Sequence, residues 1–175
     1  GNNSERIKKL LLYGTLCSDG IVEVDGDNEK HMGDPTETAI VLAAYRNGIK
    51  KEKAEKMYPR LAEIPFDSDR KAMSTVNRID GRNVVIVKGA FDVLASKCVS
   101  GDIQSAEKIN EQFGNDALRV IAIACKEIEE VPSSPSSDEL ESGLTFMGLL
   151  GMIDPPRPEA REAVKLCRKA GIKPV

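Results

Sequence analysis

The densest run of side chains able to do chemistry is Pro65-Phe66-Asp67-Ser68-Asp69-Arg70-Lys71-Ala72-Met73-Ser74. Two adjacent cations beside one of only 4 phenylalanines could hold a flat ring and an anion together, the ring by stacking and the anion by charge-assisted hydrogen bonds. The same run also reads as a charged turn between two strands, with Phe66 turned into the core. Lys88 follows the unbroken apolar run Val84-Val85-Ile86-Val87 and precedes Gly89, where a ligand can approach the backbone closely. It reads either as an anion-binding group at a strand end or as a lysine snorkelling to the surface. Arg119 opens another apolar stretch and has the same two readings. Glu37 sits three residues after Asp34, so it can act as a helix-capping acid, a ligand-facing acid, or both.

Several chemistries are missing from the chain. No Gly-Lys pair exists, which removes a Walker-type phosphate loop, and no G-x-G-x-x-G follows a strand. The single histidine, His31, cannot support a nucleophile triad. Asp67 and Asp69 lie beside Arg70 and Lys71 and look like a solvated turn rather than an acid/base pair. What is left is a site that stacks an aromatic ring and neutralises a polyanion without a phosphate loop. ATP fits that description.

These groups must be positioned by alternating helices and strands. A first helix runs from Ser4 to about Leu16 and ends at Asp19-Gly20. The string Asp25-Gly26-Asp27-Asn28 is a polar turn. Asp34 as N-cap, Pro35 at N1 and Glu37 at N3 open a helix over Thr36 to Asn47, stopped by Gly48. A charged helix follows over Lys50 to Met57. Strands are expected over Leu61 to Phe66, Met73 to Ile79 and Asn83 to Val87, the last two joined by Asp80-Gly81. The run from Val84 to Val87 should be a central strand buried on both faces. Helices over Phe91 to Cys98 and about Ser105 to Phe113, and strands over Leu118 to Cys125 and Leu144 to Ile153, complete the set. Val131 to Ser142 is rich in Pro and Ser and reads as a solvated loop. A last helix is expected over Pro158 to Ala170. The chain then begins another strand and stops, as an excised piece of a longer protein would.

Composition sets the outer limits. The 175 residues carry 25 basic and 28 acidic side chains for a net charge of −3, which lacks the basic stripe of a nucleic-acid binder. At 41% hydrophobic and 30% charged, the chain is globular, and no apolar stretch is long enough for a membrane span. Cys17, Cys98, Cys125 and Cys167 are widely spaced among apolar neighbours and read as free thiols of an intracellular domain.

In order along the chain, five strings resemble the nucleotide-binding domain of P-type cation-transporting ATPases, most closely the calcium pumps. They are Gly33-Asp34-Pro35-Thr36-Glu37-Thr38-Ala39, Phe66 to Ser74, Val87-Lys88-Gly89-Ala90, Leu118-Arg119-Val120-Ile121-Ala122, and Gly151-Met152-Ile153-Asp154-Pro155-Pro156-Arg157. The resemblance implies an α/β (α+β) fold, a mainly antiparallel twisted sheet flanked by helices. It also implies a nucleotide-binding domain over residues 1–153, with 154–175 as the hinge and the truncated start of the second half of the phosphorylation domain. The parent would be an integral membrane pump and this a soluble, monomeric cytoplasmic piece. Its partners would be ATP and the parent's phosphorylation, actuator and membrane domains.

Carried over by position, the resemblance puts Phe66 against adenine, Glu37 at its amino edge and Met73 beside the base. Lys88 lines the depth of the pocket with Gly89 and Ala90. Lys71 lies by the nucleotide, Ile121 gives apolar contact, and Arg119 reaches the phosphates. Asp154 and Arg157 would set the closed hinge. Magnesium would ride on the ATP phosphates, and the phosphorylated aspartate would lie outside this chain, so the piece would bind ATP without hydrolysing it. Ser68 departs from the animal members, which carry arginine there; one phosphate contact is then missing, or a neighbour such as Arg70 supplies it. Two other readings stay open. One is a haloacid-dehalogenase-type phosphatase using Asp25-Gly26-Asp27, and the other an interaction module that binds no nucleotide.

Overall fold

A computed structural model describes residues 2–153 and Leu166. The order of elements is α1 (Asn2–Leu16), β1 (Ile21–Asp25), β2 (Asn28–Met32), α2 (Pro35–Arg46), α3 (Lys51–Met57), β3 (Arg60–Asp67), β4 (Ala72–Ile79), β5 (Arg82–Gly89), α4 (Phe91–Lys97), β6 (Cys98–Ser100), α5 (Ile103–Asn115), β7 (Arg119–Ile128), α6 (Ser137–Leu140) and β8 (Leu144–Met152). The expected helix over 158–170, and the hinge residues Asp154 and Arg157, lie outside the described residues.

The main sheet has 6 strands in the order β3-β4-β5-β7-β8-β6. All neighbours are antiparallel except β6 and β8. Strands of period two send alternate side chains to opposite faces, and the apolar run of β5 shows why it has no polar break. Val85 and Val87 join Leu94, Ala106, Leu140 and Phe146 on the face covered by α4, α5 and α6. Val84 and Ile86 join Tyr13, Leu16, Cys17 and Ala54 on the face covered by α1 and α3. Burial on both faces makes β4 and β5 the centre of the core.

Three local features differ from expectation. The polar turn at 25–28 heads a hairpin whose second strand, β2, is solvent-exposed along most of its length. Its residues show no hydrophobic alternation, so pairing with β1 alone defines it. That hairpin is a separate 2-stranded sheet, and it carries the Asp25-Gly26-Asp27 string at its tip. The helix expected to reach Cys98 stops at Lys97, because Cys98 pairs with Leu144. The stretch read as a solvated loop contains α6, where Leu140 and Glu141 are buried.

Candidate functional site

Register brings the distant strings together at one end of the sheet. Met73 on β4 lies opposite Lys88 on β5, and Lys88 lies opposite Ile123 on β7. Ile121 is two residues further along β7, so Met73, Lys88 and Ile121 point to the same face of the sheet. The first turn of α2 stands over that face. Asp34 caps it by accepting from Thr36 N at 2.8 Å, with Pro35 in the first turn.

Glu37 does not complete a capping box with Asp34. Its Oε2 instead accepts from Asp19 N and Gly20 N, each at 2.9 Å, and its Oε1 accepts from Lys88 Nζ at 2.6 Å. Gly20 permits this approach, since a Cβ there would lie 3.0 Å from Glu37 Cβ and from Thr38 N. Lys88 is therefore no snorkelling lysine: it is 6% exposed, and its ammonium also donates to Ser18 Oγ at 3.2 Å. Beneath it, the Cys17 thiol donates weakly to the carbonyls of Met73 and Ile86. Burial pushes that thiol up to about 11, partly countered by the Lys88 charge.

A cavity of about 390 Å³ opens here, lined by Asp19, Asp34, Thr36, Glu37, Phe66, Met73, Lys88, Arg119 and Ile121. Phe66 is 62% exposed, so the ring belongs to the cavity and not to the core. Arg119 is exposed, and its Nη1 donates to Thr36 Oγ1 at 2.8 Å. Ser68, Lys71, Gly89 and Ala90 are not among the lining side chains. Ser68 and Lys71 sit on the exposed β3–β4 turn, while Gly89 and Ala90 hold that turn from the other side. Ala90 N donates to Lys71 O at 3.1 Å, and a Cβ on Gly89 would collide with the same carbonyl.

Arg70 is already committed elsewhere. Its Nε donates to both oxygens of Glu141, and its Nη2 donates to Pro65 O and Ala72 O. Its Nε and Nη2 are thus engaged within the protein, on the side of the turn that faces Glu141. Sequence reasoning also missed Asp19 and Thr36 as lining residues and Ser18 as a partner of Lys88. Ser18-Asp19-Gly20 carries only a helix-stop signal, and its meeting with Glu37 is a tertiary event. Among the described residues, no group of three or more His, Cys, Asp or Glu side chains could hold a metal ion.

Residues 6–159 match the family described as P-type ATPase, cytoplasmic domain N. The chain belongs to this family. A calcium-transporting ATPase of Bacillus subtilis (strain 168) is 39% identical over 99% of this chain and 21% of that protein. The cation-transporting ATPase pma1 of Synechocystis sp. is 39% identical over 95% of this chain and 19% of its own length. Calcium-transporting ATPase 1 of Bacillus cereus is 37% identical over 99% and 20%. This N-domain chain thus spans about a fifth of the length of the curated relatives it matches. Its mixed sheet with flanking helices agrees with the fold expected from the resemblance. Among the described residues, no helix is long and apolar enough to cross a membrane.

Proposed function

We propose that the cavity at the end of β4, β5 and β7 binds ATP, and that the chain is the cytoplasmic nucleotide-binding domain of a calcium-transporting P-type ATPase. The observation that carries this reading is the exposed Phe66 ring at a cavity that also gathers Glu37, Met73, Lys88, Arg119 and Ile121. A large aromatic left in water beside buried Met73 is a ready platform for a flat base.

The Lys88–Glu37 pair leaves the depth of the cavity close to neutral, which suits an uncharged purine better than a polyanion. Oε2 of Glu37 already accepts two N–H donors, while Oε1, among the described residues, accepts from Lys88 alone and keeps a lone pair for an adenine amino group. The phosphates then extend toward Arg119 and the turn bearing Lys71, with magnesium carried on them. Stacking contributes about 1–3 kcal/mol and the exposed cations add modestly, giving affinity on the order of 0.1–1 mM. Loose binding suits a domain that must present ATP and then move away. In the parent protein, the terminal phosphate passes to an aspartate outside this chain.

Titration of ATP into the chain, followed by amide NMR, tests the assignment. Shifts centred on Glu37, Phe66 and Lys88, with no phosphate released, are expected. Phosphate release by the chain alone would instead favour the phosphatase reading, and no response in either assay would leave an interaction module.

A further inference from the structure

Glu141 has a fully buried carboxylate and lines no part of the cavity. A lone carboxylate in the interior is costly, yet this one is saturated. It accepts from Arg70 Nε at 3.1 Å on both oxygens, from Ser74 Oγ at 2.9 Å and from Lys97 Nζ at 3.0 Å. The cluster ties the β3–β4 turn, β4 and α4 to the end of α6.

The far side of the Arg70 fork explains its use. Nη2 donates to Pro65 O at 3.0 Å and to Ala72 O at 2.8 Å. Those carbonyls belong to the residues immediately before Phe66 and Met73, both of which line the cavity. The β3–β4 ladder is irregular between Ile64 and Asp67, the span that contains Phe66. Regular strand pairing therefore does not hold the ring's backbone in place, and the planar guanidinium bridges the two strands instead.

We propose that Glu141 is a positioning residue for the cavity: acting through Arg70, it holds the backbone that presents Phe66 beside Met73. The proposal rests on the assignment of the cavity to a nucleotide. Replacing Glu141 with glutamine turns one acceptor into a donor facing Arg70 and Lys97, which can only donate.

The test labels the phenylalanine rings of the chain and titrates ATP and adenosine into Glu141→Gln and Arg70→Lys. Arg70→Lys keeps a cation toward Glu141 but cannot span both carbonyls. In each variant the Phe66 ring signal is expected to move before ligand is added. ATP and adenosine should weaken by a common factor of about five to ten, since the stacked base is shared. Unchanged Phe66 signal and unchanged affinities, alongside a lower melting temperature, would reduce Glu141 to a stability role and overturn the proposal. If Glu141→Gln does not fold, Arg70→Lys decides between the two roles by the same readings. If the unaltered chain takes up neither ligand, the nucleotide assignment fails, while the Phe66 signal still decides what Glu141 positions.

Discussion

The ammonium of Lys88 lies 2.6 Å from Glu37 Oε1, joining the end of a central strand to the first turn of a helix 51 residues earlier in the chain. Both side chains are largely buried, at 7% and 14% exposure. The same carboxylate takes two backbone donors from the loop after α1, so one side chain ties helix, loop and strand around the cavity.

Removing one partner of this pair leaves the other charged and without its counter-ion. Glu37→Ala should cost about 3 kcal/mol, because it strands both the ammonium and the Asp19 and Gly20 amides. Glu37→Ala combined with Lys88→Met should recover part of that loss. Urea unfolding of the single and double variants measures the coupling; strictly additive losses would contradict it.

Phe66→Ala separates binding from stability. The ring is mostly in solvent, so unfolding free energy should change by no more than about 0.5 kcal/mol. ATP affinity should fall about tenfold, the equivalent of 1.4 kcal/mol of lost stacking. Equal affinity in the variant, by calorimetric or NMR titration, would sink the stacking assignment.

Gly89→Ala probes the close packing behind the turn. A methyl group at that position meets Lys71 O and sits 3.0 Å from Ala72 Cα, both backbone atoms. The β3–β4 turn must then shift, at a cost of about 1–3 kcal/mol. Thermal unfolding should show the loss, and amide signals from Lys71 to Met73 should move most.

Cys17 predicts an alkaline limit. Burial raises its thiol from the ordinary 9.0 to about 11, so the folded chain keeps a proton that the unfolded chain releases. Fewer protons bound in the unfolded state means that stability falls as pH rises. Its contribution is complete below pH 9 and is lost between pH 9 and about 11, amounting to about 3 kcal/mol. Denaturation midpoints across that range should decline in the unaltered chain and decline less in Cys17→Ala.

Much of the architecture is readable from local pattern. The apolar run of β5 requires burial on both faces, Asp80-Gly81 requires a hairpin, and Asp34-Pro35 requires a helix start. Each depends on interactions within a few residues. The exceptions have the opposite character. β2 has no apolar alternation and exists through its pairing with β1, and Glu141 reads as solvated because it lies in a polar stretch. Glu37 occupies a capping-box position, yet it turns to Lys88 and the 19–20 amides, a choice that local spacing cannot decide.

The order of residues alone is enough for the family, the alternation of strands and helices, and the ring, the cations and the acid that could meet a nucleotide. Motif order and period-two or period-3.6 patterning reflect short-range sterics and burial, which the chain carries in every copy. It took the folded arrangement to establish that Phe66 faces solvent at the cavity, that Lys88 is paired with Glu37, and that Arg70 is paired with Glu141. Those outcomes turn on which charges meet across long stretches of chain once water is excluded, and pairing at that range is settled by packing rather than by neighbours in sequence.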